Sequence, residues 1–289
     1  MEERVTFQSG SLKIAGVLHV PANHRPGERR AALLVLHGFG SNKASTSCIQ
    51  PAQLLAQWGY VVLRFDFRGC GESEGTRARV ICLEQVEDTK AAVSFLATRA
   101  EVDPRRIAVA GSSFGAAVAV YAGGVDPRIA AVISNGGWGD GETKFRRQHA
   151  SPEAWSKFAR MLDEGRRARA EGRQIMVPRY DIVPIPPQLR GNLAPNSIME
   201  FPFDVVDSMY NFRANDVVGK IAPRPLLLLH SSNDSVTPTE QSVGLFQHAR
   251  QPVDLHLFAE TDHFMFSEDN PRVITVIRGW LDKYLPALA

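Results

Sequence analysis

The chain reads Gly-Ser-Ser-Phe-Gly at residues 111–115, after a strand-like run at 106–110 and before a helix of small residues at 116–122. A G-x-S-x-G pattern between a strand and a helix is typical of a nucleophile elbow, in which the central serine stands on a sharp turn above a sheet. Glycines are needed two residues to either side because strand and helix approach too closely there for a Cβ atom. Ser113 is therefore the candidate nucleophile.

Strand-like and helical patterns alternate on both sides of this turn. Helices are predicted at 49–57, 83–98, after Ser113 and at 271–285, and apolar strands at 31–36, 60–65, 107–110, 129–133, 225–229 and 253–258. Strands that are apolar throughout are typical of a parallel sheet buried on both faces. The pattern predicts an α/β fold, with a mostly parallel central sheet between helices. Residues 5–7 and 12–18, separated by Ser9-Gly10, predict a hairpin at the sheet edge.

The alternation stops after Asn135, and residues 137–215 contain no convincing buried strand. They hold an arginine-rich helix at about 152–172 and a proline-rich stretch at 178–187. A segment of this length without sheet is typical of a lid or an interaction element. We therefore expect a core domain made of 1–136 and 216–289, with a helical cap insertion at 137–215.

Many basic residues lie in this insertion, and their charges have two interpretations. They form a solvated helix face, or one arginine meets a substrate carboxylate or phosphate as a bidentate partner. Both interpretations fit the sequence. The residues are Lys144, Arg146, Arg147, Arg160, Arg166, Arg167, Arg169, Arg173, Arg179 and Arg190.

A serine hydroxyl needs a base to take its proton and an acid to hold that base, and this fold orders them serine, acid, histidine. His263 follows the last predicted strand, and Asp234 follows the strand before it. Functional groups collect at these carboxyl ends in open α/β sheets, so the two residues are the candidate base and acid. Asp262 is a weaker rival for the acid, and Asp140 a more serious one.

An oxyanion in the reaction needs two preorganised N–H donors. One is expected from the residue after the nucleophile, Phe114, at a helix N-terminus. The other is expected from the loop His37-Gly38-Phe39-Gly40 after a buried strand, at the backbone of Phe39. The alternative interpretation is a glycine turn that only reverses the chain.

The stretch Asp66-Phe-Arg-Gly-Cys-Gly-Glu-Ser73 has two glycines, and Asp66 or Arg68 is able to brace neighbouring loops. We interpret it as mainly structural, so Cys70 is not the expected nucleophile.

Composition limits the remaining function classes. The formal charge is +2, from 33 basic and 31 acidic residues, which gives no indication of a nucleic-acid or membrane partner. Three cysteines without metal-type spacing favour a reducing compartment. No apolar h-region follows Met1, and no apolar run reaches a membrane-spanning length. A cytoplasmic location is expected, with no metal or organic cofactor, because a serine nucleophile with its own base requires none.

The stretches at 37–40, 66–73 and 111–115, together with Asp234 and His263, resemble the α/β-hydrolase superfamily. Within it the chain is most similar to the cinnamoyl or feruloyl esterase-like and prolyl-oligopeptidase-like serine hydrolases, through His-Gly-Phe with Asn42-Lys43 and Asp-Phe-Arg-Gly. The resemblance implies that the serine is acylated, the histidine shuttles the proton, the aspartate orients it, and a cap covers the acyl pocket.

The expected function is therefore hydrolysis of a small-molecule carboxylic ester through an acyl-enzyme. An amidase or peptidase, a lactone or a carbon–carbon bond hydrolase would use the same residues. A binding protein that kept the fold without activity is the alternative from a different class. A homodimer through the cap or the sheet edge is left open.

Overall fold

The computed structural model describes residues 1–265 and 270–288. Within them the main sheet has eight strands in the order β1-β2-β4-β3-β5-β6-β9-β10. Strands β1, β2 and β4 pair antiparallel, and every other neighbouring pair in the sheet is parallel. The bounds are β1 Glu2–Ser9, β2 Leu12–His19, β3 Arg30–Leu36, β4 Val61–Phe65, β5 Val102–Ser112, β6 Ile129–Asn135, β9 Leu226–Ser231 and β10 Val253–Phe258.

Helices cover both faces of this sheet. On one face α1 Thr46–Gln57 and α10 Pro271–Tyr284 pack against it, and on the other α2 Cys82–Ala97 and α3 Phe114–Val125 do so. Strand β3 shows why the predicted strands are apolar at every position. Leu33 and Val35 pack into the hydrophobic core on one face of the sheet, while Leu34 and Leu36 pack into the core on the other face. The predicted α/β architecture, with its edge hairpin, is confirmed. Helix α9, Glu240–His248, was not predicted.

Residues 137–215, called the insertion below, are mostly helical. Its elements are α4 Gly141–Gln148, α5 Pro152–Ala170, β7 Met176–Pro178, α6 Arg179–Ile182, a 3-10 helix Pro187–Asn192, β8 Glu200–Pro202 and α7 Phe203–Tyr210, followed by α8 Asn215–Val218. Strands β7 and β8 form a separate antiparallel pair. The predicted arginine-rich helix is α5, which begins where the Ser151 hydroxyl accepts a hydrogen bond from Ala154 N–H and Pro152 takes the first turn.

The stretch from Asp66 to Ser73 holds loops together, as its structural interpretation expected. The buried Asp66 carboxylate accepts hydrogen bonds from Lys43 N–H (2.6 Å), Lys43 Nζ (2.6 Å) and Glu72 N–H (2.8 Å). Arg68 donates through Nε and Nη2 to Asp88 (2.9 and 2.6 Å). A Cβ at Gly71 would lie 2.1 Å from the Asp66 carboxylate, so this turn requires glycine.

No helix in residues 1–265 and 270–288 has both the length and the apolar character needed to cross a membrane.

Candidate active site

The turn between β5 and α3 carries Ser113 in a strained conformation. Its φ is 56° and its ψ −116°, a region that side-chain-bearing residues rarely adopt. A Cβ at Gly111 would lie 2.2 Å from the Gly115 oxygen, and one at Gly115 would lie 2.6 Å from the His37 oxygen. Both glycines are therefore required by close backbone approach, as the elbow pattern predicts. The Ser113 N–H donates to the Asn135 carbonyl (2.8 Å), which fixes the turn against β6.

His263 lies in the loop after β10, and its Nε2 is 2.9 Å from the Ser113 Oγ. The ring is buried. Its Nδ1 lies 2.8 Å from Oδ2 and 3.1 Å from Oδ1 of Asp234. The structure thus brings the predicted nucleophile, base and acid into one hydrogen-bonded line, although they are 150 and 29 residues apart in the chain.

Asp234 is held by donors on several sides. Its Oδ1 accepts hydrogen bonds from Val236 N–H (2.8 Å) and Thr237 N–H (2.7 Å), and its side chain is 1% exposed. Burial by itself raises the pKa of this carboxyl. Hydrogen bonds from His263 and His230, together with the positive charge that either ring carries when protonated, outweigh burial, and they hold the pKa of Asp234 far below its usual range. Asp234 is therefore ionised at neutral pH.

His230 is a neighbour of the acid that the sequence reasoning missed. It is fully buried at the end of β9, with Nε2 3.2 Å from Asp234 Oδ2 and 3.0 Å from the Thr237 carbonyl. Its Nδ1 lies 2.6 Å from Ser242 Oγ. Since a carbonyl only accepts, Nε2 carries the proton and the serine hydroxyl donates to Nδ1. A histidine directly before the acid loop was the available signal.

The two rival acids lie elsewhere. Asp262 accepts hydrogen bonds from Ser235 N–H (2.8 Å) and from the backbone N–H of His263 (2.7 Å), so it contacts the chain beside the imidazole. Asp140 caps α4 by accepting from Thr143 N–H (2.8 Å), and it forms an ion pair with Arg213 (3.1 Å). Through these bonds both carboxylates have a structural role away from the His263 ring.

The loop of residues 37–40 is pinned beside the elbow. The His37 Nε2 accepts from Phe67 N–H (3.2 Å), and its Nδ1 lies 2.8 Å from the Gly38 carbonyl. Burial lowers the pKa of His37, which keeps the ring neutral. Within residues 1–265 and 270–288, neither the Phe39 N–H nor the Phe114 N–H donates to a protein acceptor. Both predicted oxyanion donors are thus left unpaired.

A small cavity of about 40 Å³ lies over Ser113. One wall comes from the start of α1 and the loop before it, and another comes from the insertion. Its lining is Gly38, Phe39, Ser41, Ser45, Ser47, Ser112, Ser113, Arg179, Val183, Ile185, Asn192, Leu193, Val236, His263 and Phe264.

Lys144 of α4 is buried, which the sequence reasoning did not predict. It is 1% exposed, its Nζ donates to Gln148 Oε1 (2.8 Å), and it lies over the rings of Trp138 (4.7 Å) and Phe145 (4.0 Å). Burial lowers the pKa of Lys144 to about 7. Gln148 in turn donates to the Val236 carbonyl, so the insertion is tied to the loop that holds the acid.

Cysteine thiols and clustered metal-binding side chains are two other sources of chemistry in a protein site. Cys70 is buried, and burial raises its pKa to about 12, so it is a poor nucleophile. In the described part of the chain, no three His, Cys, Asp or Glu side chains are grouped so as to hold a metal ion.

Comparison with known proteins places the chain among proteins of this architecture. The family model described as "Alpha/beta hydrolase family" matches residues 33–276. The thiohydrolase aneE of Aspergillus aculeatus is 27% identical over 275 residues, which are 87% of this chain and 83% of that protein. The quorum-quenching protein AidA of Acinetobacter baumannii is 32% identical over 139 residues, 47% of this chain and 44% of that protein.

Among solved structures, the hypothetical protein PA2218 of Pseudomonas aeruginosa superimposes with a TM-score of 0.81. It is 24% identical, and the match covers 99% of this chain and 94% of that one. This likeness shows that the fold is shared over nearly the whole length.

Proposed function

The chain belongs to the alpha/beta hydrolase family, and we propose that it is a serine hydrolase that cleaves a small-molecule carboxylic ester through an acyl-enzyme. The observation that carries the proposal is the hydrogen-bonded line from Ser113 Oγ through His263 to Asp234. In that line a neutral imidazole accepts the serine proton at Nε2 while the carboxylate holds Nδ1–H.

Acylation begins when Ser113 Oγ attacks the ester carbonyl carbon and its proton passes to His263 Nε2. The carbonyl oxygen becomes an oxyanion, which the unpaired N–H groups of Phe39 and Phe114 bind. The tetrahedral intermediate expels the alcohol, which takes the proton from His263, and the acyl group stays on Ser113. A water then attacks the acyl carbon with His263 as base, and Ser113 leaves as the hydroxyl when the acid is released.

We also propose that the insertion acts as a cap over this site. Five cavity-lining residues belong to it: Arg179, Val183, Ile185, Asn192 and Leu193. A cap placed there selects the acyl or leaving group, while the residues of the core carry out the bond cleavage. The placement in the cytoplasm and the similarity to the feruloyl esterase-like group remain predictions from the sequence.

Other leaving groups would use the same machinery. An amide has a poorer leaving group than an ester, and His263 would have to protonate it. One of the similar proteins is named as a thiohydrolase, aneE, so a thioester is included among the test substrates. We therefore expect a matched series of methyl ester, thioester and methylamide of one short acid to be cleaved fastest at the oxygen ester or the thioester. Faster cleavage of the amide would replace the ester proposal with an amidase.

The test of the nucleophile is mass spectrometry after incubation with a fluorophosphonate, followed by peptide mapping. We expect one adduct, on Ser113, that disappears in Ser113→Ala and in His263→Ala. Ser112→Ala is the matched control, because Ser112 is the adjacent serine and its Oγ contacts Asn135. Esterase activity that persists in a pure Ser113→Ala preparation would overturn the proposal.

A further inference from the structure

Arg179, the first residue of α6, is a buried arginine without an acidic partner. Its side chain is 3% exposed. The two other buried arginines, Arg30 and Arg64, each pair with a glutamate. In the described part of the chain no carboxylate lies within ion-pair distance of the Arg179 guanidinium. A buried charge without a counter-charge is costly, so this position calls for an explanation.

The guanidinium is fixed in place but not fully satisfied. Its Nη1 donates to the Ile198 carbonyl (2.8 Å) and its Nη2 to the Phe39 carbonyl (2.6 Å). Its Nε is buried and has no hydrogen-bond partner. Burial lowers the pKa of Arg179 to about 10, and the group still carries its positive charge at neutral pH. Buried polar atoms without partners are rare, and a bound water, ion or ligand is one explanation for such an atom.

Arg179 lines the cavity that contains Ser113, and a second set of donors lines it as well. Ser45 and Ser47 line it at the start of α1, with their hydroxyl oxygens 3.1 Å apart. The Ser45 hydroxyl does not cap α1, and no acidic residue lies in the first helical turn. The N-terminus of a twelve-residue helix carries a partial positive charge and unpaired N–H groups. Among the described residues that line the cavity there is no aspartate or glutamate.

We propose that this end of the cavity binds a carboxylate of the substrate, held by Arg179 together with the hydroxyls of Ser45 and Ser47. The inference rests on the proposed ester hydrolysis at Ser113, and it narrows the substrate to the monoester of a dicarboxylic acid. The guanidinium fork matches a planar carboxylate.

The size of the cavity sets the length of that acid. The cavity is about 40 Å³, on a measure by which roughly 10–15 Å³ is enough to hold one water, so it has room for about three waters. Only a short chain fits between the carbonyl at Ser113 and a carboxylate at Arg179. The succinate skeleton, with two methylene groups between its carboxyl carbons, is the probe that meets this limit.

The first experiment measures turnover of monomethyl succinate, which is an anion at neutral pH, and of the neutral dimethyl succinate. We expect the wild-type kcat/KM to be about tenfold or more higher for the monoester, as charge-assisted bonds to a carboxylate predict. Arg179→Gln is expected to remove that preference by lowering kcat/KM about tenfold more for the monoester than for the diester. Arg160→Gln, at an exposed arginine of α5, is the matched control and is expected to change neither rate.

The second experiment separates binding from chemistry. Calorimetric titration of Ser113→Ala with monomethyl succinate is expected to show binding that is lost in the double variant Ser113→Ala with Arg179→Gln. Dimethyl succinate is expected to bind both proteins equally weakly. Because no bond is cleaved, this result does not depend on Ser113 being a working nucleophile.

The outcomes distinguish the two proposals. Binding of the monoester without turnover, and without a fluorophosphonate adduct, would reject ester hydrolysis and keep the carboxylate site. Turnover of the diester equal to or faster than that of the monoester would reject the carboxylate site and keep ester hydrolysis. Equal losses with both esters in Arg179→Gln would also reject it, because Arg179 would then only support the Phe39 loop. If Arg179→Gln does not fold, the carboxylate site is tested instead by the kinetics of Arg179→Lys and by the wild-type ratio of kcat/KM for the two esters.

Discussion

His230 Nε2 lies 3.2 Å from Oδ2 of Asp234, the same oxygen that His263 Nδ1 approaches at 2.8 Å. The buried carboxylate is therefore held between two imidazoles, one facing Ser113 and one facing the protein interior. The inner histidine is fixed by Ser242 and by the Thr237 carbonyl. We therefore expect His230 to position Asp234, the proposed acid.

His230→Leu is expected to lower kcat/KM for an ester about tenfold, since a hydrogen bond to a buried charged group contributes about 1.5–3 kcal/mol and the carboxylate loses one. His230→Gln keeps an N–H donor and is expected to recover part of the loss. Steady-state kinetics checks this, with His248→Leu on the exposed face of α9 as the control. A rate for His230→Leu within about twofold of wild type would show that His263 and the backbone hold Asp234 unaided.

Ser113→Gly is expected to be more stable than Ser113→Ala, and both variants are expected to be inactive. Strain at a φ of 56° costs a side-chain-bearing residue about 1–3 kcal/mol, and glycine relieves it. The greater freedom of glycine in the unfolded chain offsets about 0.4–1 kcal/mol of that gain. The net difference of about 1 kcal/mol corresponds to roughly 2–4 °C in Tm, which calorimetry resolves.

Ser112→Gly supplies the control for that comparison. Ser112 is the last residue of β5 and does not share the positive φ of Ser113. Glycine there weakens the strand without relieving strain, so a lower Tm is expected. An equal Tm for Ser113→Gly and Ser113→Ala would mean that the elbow stores no strain.

Local patterns were sufficient to predict the sheet and the three residues that now form a hydrogen-bonded line. Residues 107–110 of β5 and 226–229 of β9 are apolar throughout because both faces of the sheet are buried there, and that property is visible in a short window of sequence. Ser113 was recognisable because its neighbours at 111 and 115 must be glycine for steric reasons that act within five residues. Its partners were recognisable because each follows a predicted strand.

The residues that the sequence reasoning missed, or named without distinguishing them from their neighbours, depend on packing between distant segments. Lys144 resembles the other basic residues of the insertion, and only its burial among Trp138, Phe145 and the loop of Asp234 makes it different. Arg179 was one of many arginines until the carbonyls of Phe39 and Ile198 closed around it. Short helices such as α9 lack the length that makes a helical period recognisable.

Lys144→Met is expected to stabilise the protein, and more so near pH 7 than near pH 10. Burial places the folded pKa of Lys144 at about 7, below its ordinary value of 10.5. Between these values the unfolded chain binds a proton that the folded protein does not, so this group makes wild-type stability rise with pH. Each pKa unit corresponds to about 1.4 kcal/mol, which makes the expected change a few kcal/mol.

The measurement for Lys144 is the difference in unfolding free energy between Lys144→Met and wild type at the two pH values. Lys220→Met, at an exposed lysine after α8, is expected to show a difference that does not vary with pH. The prediction is wrong if the advantage of Lys144→Met is constant or grows with pH. In that case Lys144 is charged in the folded protein, and the aromatic rings and Gln148 offset its desolvation.

The three cysteines are expected to resist alkylation in the folded protein. Cys48, Cys70 and Cys82 are each at most 1% exposed, and burial raises the pKa of each thiol to about 12. The thiolate is the form that reacts with iodoacetamide, and at about pH 8 almost none of these thiols is ionised. Mass spectrometry should show no adduct on the native protein and three in denaturant, with Lys220→Cys as the reactive control. A rapid adduct on Cys70 would instead show that the loop at 66–73 opens, and it would return that thiol to consideration as a group near the site.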